Sequence, residues 1–306
     1  METVQQVGGH RVKVWNEGRG SVVVFFYDSW HTAHGFQLIS EQLREHFQVM
    51  SLDPPGFGGS PEPADGSLTV SDYSDLLGEF VKFSGGRDVT LVLCGLGLPI
   101  GLRFLAEGQD AYDHVSRVVI TNGLLYADQL GGRSPFKQGM LLSRWELPMD
   151  RSHHRRRLLQ FYGDPEAMDE RIAQEGWAAF SKGRLEYQAK FTRTIDDASS
   201  EFENWIRTLG ESEVPVLVLW GEEDPTGGRK VVERFQEEVP QSETYMLPSV
   251  GHFPHIEVSE IVADGITDFV KRNPKSVGRR VVKPRVEEET PEEEAPDEPS
   301  APPDEQ

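Results

Sequence analysis

The 306-residue chain has a single cysteine, Cys94, which excludes an intrachain disulfide and a cysteine-cluster metal site. It has no run of 18 or more apolar residues, so a membrane span is not expected. Met1 to His10 lacks the basic start and apolar core of a signal peptide. Basic residues are scarce: 31 Lys and Arg stand against 51 Asp and Glu, for a formal net charge of −20. General affinity for nucleic acid or anionic lipid needs a basic footprint, so neither partner is expected. The expected setting is cytoplasmic.

Hydrophobic residues make up 37% of the chain and charged residues 27%. A globular body of roughly 270 residues buries about three quarters of its unfolded surface, enough for a substantial core. The charge is uneven. Residues 284–306 carry ten Asp or Glu, six Pro and one basic residue, Arg285. Such a composition buries too little apolar surface to fold, and 274–306 reads as a disordered acidic tail and a candidate segment for a protein partner. Residues 271–285 hold seven Lys or Arg and no acid. Residues 271–306 together carry net −3, so the preceding 270 carry about −17.

Apolar strands alternate with helices along the body. Arg11 to Trp15 alternates polar and apolar, as a half-buried strand does. Val22 to Tyr27, Val89 to Leu93, Val115 to Ile120 and Val216 to Trp220 are apolar runs suited to strands covered on both faces. Gln48 to Leu52 reads as a strand ending at Asp53, and Glu243 to Leu247 as another. Helices are expected over 35–47, 71–83, from Ile100 to Ala106, and over 229–238 and 257–272. This order predicts an α/β fold with a doubly wound, mostly parallel sheet. Residues 124–198 break the rhythm, with Arg, Trp, Phe and Gln at helical spacings. They read as an insertion of three or four helices over the carboxyl ends of the strands, where open parallel sheets bind ligands. The expected division is a core of 1–123 and 199–273, a helical cap of 124–198 and a tail of 274–306.

Three segments carry a family resemblance. Leu52-Asp53-Pro54-Pro55-Gly56-Phe57-Gly58-Gly59-Ser60 is similar to the D-x-P-G-x-G-x-S turn of the α/β-hydrolase superfamily. Trp220 to Pro225 resembles the loop that presents that family's triad acid, and Pro248 to His255 the loop that presents its histidine. The resemblance covers about residues 8–272 and is to the capped form of the superfamily. It implies Asp224 and His252 as catalytic residues. It also implies a nucleophile elbow, G-x-S-x-G, between strand and helix. That place reads Leu93-Cys94-Gly95-Leu96-Gly97, which puts Gly95 at a vacant nucleophile position. Glycine accepts the elbow's strained backbone without a Cβ clash, but it has nothing to attack with. Where the family has a His-Gly pair, ungapped counting finds Tyr27-Asp28. Ser29 and Leu96 then supply the oxyanion amides, and an Asp28 carboxylate beside them opposes an oxyanion.

Other residues have two readings. Cys94 is a displaced nucleophile or a small buried residue whose side chain points to the opposite face from residue 95. His31 and His34 are ligand-binding or surface loop histidines, with no third metal ligand nearby. His255 receives no role. Arg151, Arg155, Arg156 and Arg157, with His153 and His154, clamp an anion, dock the acidic tail, or form a solvated helix face. Trp145, Phe161, Tyr162, Trp177, Phe180, Tyr187 and Phe191 mainly pack the insertion, and a few line an apolar pocket. Gly56, Gly58 and Ser60 are turn residues.

The functional expectation is a divergent member that lacks the serine-type nucleophile and binds a small, largely apolar ligand or a partner. The alternatives are an enzyme with His252 as general base oriented by Asp224, of lyase, isomerase or cofactor-independent oxygenase type, and a hydrolase with a relocated nucleophile, Cys94 or Ser29. No cofactor and no metal are expected.

Overall fold

A computed structural model describes residues 2–26, 33–63, 66, 68–107, 109–130, 150–180 and 185–275. The expected acidic tail beyond 275, and Trp145, lie outside the described residues.

Eight strands form one sheet in the order β1-β2-β4-β3-β5-β6-β7-β8. They are β1 (Glu2–Val7), β2 (His10–Gly18), β3 (Val22–Phe26), β4 (Gln48–Asp53), β5 (Val89–Gly95), β6 (Val115–Gly123), β7 (Val216–Gly221) and β8 (Ser242–Leu247). β1 and β2 pair antiparallel, β2 pairs antiparallel with β4, and the remaining pairings are parallel. The sheet is thus doubly wound and mostly parallel. β3, β5, β6 and β7 are buried along their whole length. Their branched side chains suit strands covered on both faces.

Sequence reading overlooks β1. It is an edge strand with one buried residue, Val7, so its sequence carries little apolar signal. The helices are α1 (Gln37–Leu43), α2 (Val70–Phe83), α3 (Gly97–Ala106), α4 (Gln109–Tyr112), α5 (Arg151–Leu159), α6 (Glu170–Phe180), α7 (Leu185–Asp197), α8 (Phe202–Gly210), α9 (Arg229–Glu238), α10 (Pro254–Glu257) and α11 (Ser259–Arg272). The helix expected over 35–47 is shorter, a 3₁₀ turn at Ala33–Phe36 followed by α1. The one expected over 257–272 begins at Ser259, after the separate turn of α10. α8 was not expected, although Phe202, Trp205, Ile206 and Leu209 recur at helical spacing and are all buried. α2 begins on a capping box in which Thr69 Oγ1 accepts from the Asp72 amide and Asp72 Oδ2 accepts from the Thr69 amide.

Two apolar layers cover the sheet. One joins inward-facing strand residues such as Val24, Leu91 and Val118 to Leu77, Leu102, Ile206 and Phe235 of α2, α3, α8 and α9. The other joins Val23, Val92, Cys94 and Val119 to Ile39 of α1 and Ile266 of α11. A third cluster packs Leu158, Phe161 and Ile172 of the helical segment against Phe253 and Ile256. The Gly-rich turn after β4 is held by Asp53, whose Oδ2 accepts from the Gly59 amide at 2.6 Å. Ser60 Oγ accepts from the Lys13 amide at 2.8 Å, so Ser60 acts as a turn residue, as expected. α7 meets this turn through Tyr187, whose hydroxyl lies 2.7 Å from that of Tyr73, itself donating to Pro55 O.

One charged side chain crosses the apolar interior. Arg117, in β6, is fully buried. It donates to Thr90 Oγ1 at 2.9 Å, Asp88 Oδ1 at 2.5 Å and Asn273 O at 2.6 Å, tying the sheet to the end of α11. Arg117→Leu should therefore lower unfolding free energy by about 2–4 kcal/mol, because the acceptors lose a charged donor. A urea midpoint equal to that of the wild type would show that the three bonds contribute nothing net.

Candidate active site

Four strand ends meet at the carboxyl edge of the sheet. β5 ends at Gly95, whose φ is +56°, a conformation that L side chains rarely adopt. Leu96 follows as the N-cap of α3 with no side-chain cap bond, and is buried. In the register of the sheet Gly95 faces Gly123 on β6. Asn122, just before Gly123, has φ +58° and projects a buried amide toward the loop after β7.

That loop carries Asp224. Its Oδ2 accepts from Asn122 Nδ2 at 2.5 Å and lies 2.9 Å from His252 Nδ1. Its Oδ1 accepts from the Thr226 amide at 2.9 Å and the Thr226 hydroxyl at 2.8 Å. Asn122 Oδ1 in turn accepts from the Gly221 amide at 2.9 Å. A buried carboxylate is tolerable only when well hydrogen-bonded, and this one has four donors. The carboxylate takes the Nδ1 proton of the imidazole as a hydrogen bond, which leaves the lone pair on Nε2.

His252 sits in the loop after β8, where Ser249 has φ +61°. This loop is bound to the Asp224 loop through Glu222 N to Leu247 O at 3.0 Å and Glu223 N to Val250 O at 2.9 Å. On its other side the His252 amide donates to Phe161 O at 2.6 Å, and the rings of Phe161 and Phe253 pack at 5.4 and 5.1 Å from the imidazole. Glu257 closes the arrangement, since its carboxylate accepts from the amides of Gly163, Gly251 and Phe253. Burial raises its pKa, against the lowering effect of those amides.

A family model described as alpha/beta hydrolase fold matches residues 26–258. The chain belongs to that family. It is similar to an uncharacterized hydrolase, YugF, of Bacillus subtilis, at 23% identity over 88% of this chain and 96% of that protein. Over 93 residues it is 26% identical to lipase 3 of a Moraxella species, covering 30% of each chain. Among solved structures it resembles the Cif epoxide hydrolase of Acinetobacter nosocomialis, with TM-score 0.76, 15% identity and 88% of each chain covered. It also resembles a meta-cleavage product hydrolase of Pseudomonas fluorescens, with TM-score 0.74 and 17% identity over 89% of this chain and 98% of that one.

Of the residues expected in an α/β-hydrolase site, Asp224 and His252 are together, and Gly95 and Leu96 stand at the neighbouring strand end. Asp28 and Ser29, with Tyr27, Trp30 and His31, lie outside the described residues, as does the side chain of His34. Cys94 is buried on the α1–α11 face, with Sγ 3.6 Å from Phe26 O. Among the described residues no group of three His, Cys, Asp or Glu is arranged to hold a metal ion, and no helix is long and apolar enough to cross a membrane. In the arginine cluster, Arg155 pairs with Glu170 on α6, while Arg151 and Arg156 are exposed.

Asn122, Thr226, Phe161 and Glu257 were not expected here. A polar Asn-Gly pair ending an apolar strand is the one signal that pointed to Asn122, because asparagine tolerates positive φ. Thr226 makes a local contact two residues after Asp224, whereas Phe161 and Glu257 depend on contacts distant in sequence.

His255, three residues after His252, is fully buried beside Phe36 at 4.9 Å. Burial, and then the field of His252, push its pKa down to about 3. His154 is likewise lowered to about 4, by burial and by Arg157. In the unfolded chain both take up a proton near pH 6.5, but the folded protein refuses it until well below that. The unfolded state therefore binds more protons as pH falls from about 6.5 toward 4, and stability drops by up to about 1.4 kcal/mol per pH unit for each histidine. His255→Phe should flatten this dependence in urea titrations. An identical slope in the variant and the wild type would assign the acid sensitivity elsewhere.

Proposed function

We propose that the chain is a divergent hydrolase-fold enzyme in which His252, oriented by Asp224, acts as a general base, and in which no covalent intermediate forms at the elbow. The observation that carries this reading is the Asp224 carboxylate with its four donors. A pair serving only to join two loops would not require a fixed imidazole tautomer. Residue 95 takes the place of the family's serine, and its φ of +56° is consistent with the strained elbow position. Glycine there leaves the fold intact and removes the nucleophile. Cys94 does not replace it, being buried on the opposite side of the sheet.

The step assigned to the pair is proton transfer. Nε2 of His252 takes a proton from an acidic C–H, N–H or O–H of the substrate, and the imidazolium that results is stabilised by Asp224 until the proton returns to product. The substrate class is a small, largely apolar molecule, bound beneath a cap formed by the helices within 124–198. Leu96 and Ser29 would offer amides to developing negative charge, and Asp28 would weaken that offer. No cofactor enters this scheme. A second reading, binding without turnover, is favoured by one observation: the side chains of His252 and Asp224 are 0% exposed.

Under the general-base reading, His252→Ala should cut turnover by about 10²–10⁴ and leave ligand affinity within roughly tenfold. Screening for turnover of small C–H and N–H acids by the wild type and this variant decides it. Turnover that survives the substitution removes His252 from the mechanism, and its absence for every ligand that binds favours the second reading.

The vacant elbow gives a separate expectation. Fluorophosphonate probes should not label the wild type. Gly95→Ser alone should hydrolyse p-nitrophenyl acetate negligibly, since losing one oxyanion donor already costs roughly 10²–10³ in rate and Asp28 opposes the charge. Activity should rise only when Tyr27→His and Asp28→Gly are added. Robust hydrolysis by the single variant would mean that Asp28 does not stand beside the oxyanion.

A further inference from the structure

A groove of about 400 Å³ lies away from the candidate site, between α2 and the end of α3 with α4. Its walls carry Asp75 and Glu79 from α2 and Glu107 and Asp110 from the opposite side. Lys82 pairs with Glu79 at 3.1 Å, and Arg103 pairs with Glu107 at 2.7 Å. Asp75 and Asp110 have no ion pair among the described residues, so the groove keeps an uncompensated negative charge. Burial raises the Glu107 pKa, against the lowering by Arg103, and the nearby Asp75 raises it further. α2 and α3 both end beside the groove, and helix C-termini favour positive charge. At one end lies Ser74, fully buried, whose hydroxyl has no hydrogen-bond partner. A buried hydroxyl left without a partner is costly, and a donor entering the groove would satisfy it. The floor is Phe104, lying against Gly78.

The chain itself brings a cation to this groove. Arg117 Nη1 holds Asn273 O, and the Lys275 ammonium donates to Arg87 O. Gly86, the neighbour of Arg87, has its carbonyl 2.9 Å from Nδ1 of His114, and His114 lines the groove. The described chain therefore ends beside the Gly86–Arg87 turn, one contact away from the groove-lining His114. The next ten residues, 276–285, hold Arg279, Arg280, Lys283 and Arg285, no acid, and the apolar pair Val281-Val282. Extended, ten residues reach about 33–36 Å. Lys82 to Ser74 spans only about 12 Å of helix. Reach, charge and an apolar floor all match.

We propose that residues 276–285 of this chain dock in the groove between α2 and α3–α4, with Arg279, Arg280 and Lys283 against its carboxylates and Val281-Val282 over Phe104. This would draw the acidic run that begins at Glu287 back along the body, and it is independent of the chemistry assigned to His252.

Zero-length carbodiimide coupling of the full chain, read by mass spectrometry, tests it. Lys283 should couple within one chain to Asp75, Glu79, Glu107 or Asp110. The yield should fall at least roughly fivefold in about 0.5 M salt, where the screening length shrinks to roughly 4 Å. The combined Arg279→Glu, Arg280→Glu and Lys283→Glu variant provides a second measurement, since it should speed amide hydrogen exchange over 109–114 while unfolding stays cooperative. Coupling of Lys283 only to Glu287–Glu289, coupling only between isotopically distinct chains, or unchanged exchange in the charge-reversed variant would each overturn the proposal.

Discussion

The Asp224 carboxylate is the constraint on which the carboxyl edge of the sheet depends. It is buried, and it is tolerable there because Asn122, Thr226 and His252 supply four hydrogen bonds. Those donors come from the end of β6, the loop after β7 and the loop after β8. Removing the anion would leave four buried donors seeking partners, on three residues from separate segments of the chain. The positive φ of Asn122 persists where both ends of its side-chain amide are bonded, to Asp224 and to the Gly221 amide.

Glu257 does similar work one layer out. It gathers amides from both sides of His252 and from Gly163, so the helical segment and the histidine loop share one acceptor. Arg117 is the counterpart at the amino end of the strands, where it joins β5, β6 and the end of α11. Apolar burial supplies the driving force for the two layers over the sheet. Burial is non-directional, however, and these three hydrogen-bonded side chains specify which ends come together.

Family membership and site chemistry are separate matters in this chain. Structural relatives at 15–19% identity superpose over most of its length, which is a statement about the fold. They include an epoxide hydrolase, an esterase and a bromoperoxidase. A frame that hosts so many chemistries does not select one.

The sequence by itself determined the strand and helix order, because parallel strands buried on both faces are written as unbroken apolar runs such as Val22 to Phe26 and Val216 to Trp220. It also pointed to the loops of Asp224 and His252, but only through the resemblance of Trp220 to Pro225 and Pro248 to His255 to the loops of that family. β1 escaped because an exposed edge strand needs few apolar residues, and α8 because its apolar stripe spans only nine residues between the expected insertion and β7. Only the tertiary structure decided that Asn122 completes the carboxylate's partners, that Glu257 clamps the loop, that His255 is buried, and that Cys94 faces away from Gly95 into a packed layer. Each of these is a contact between residues distant along the chain or a matter of which face a side chain takes. Local periodicity records how a segment meets the core, but it does not record which other segment it meets there.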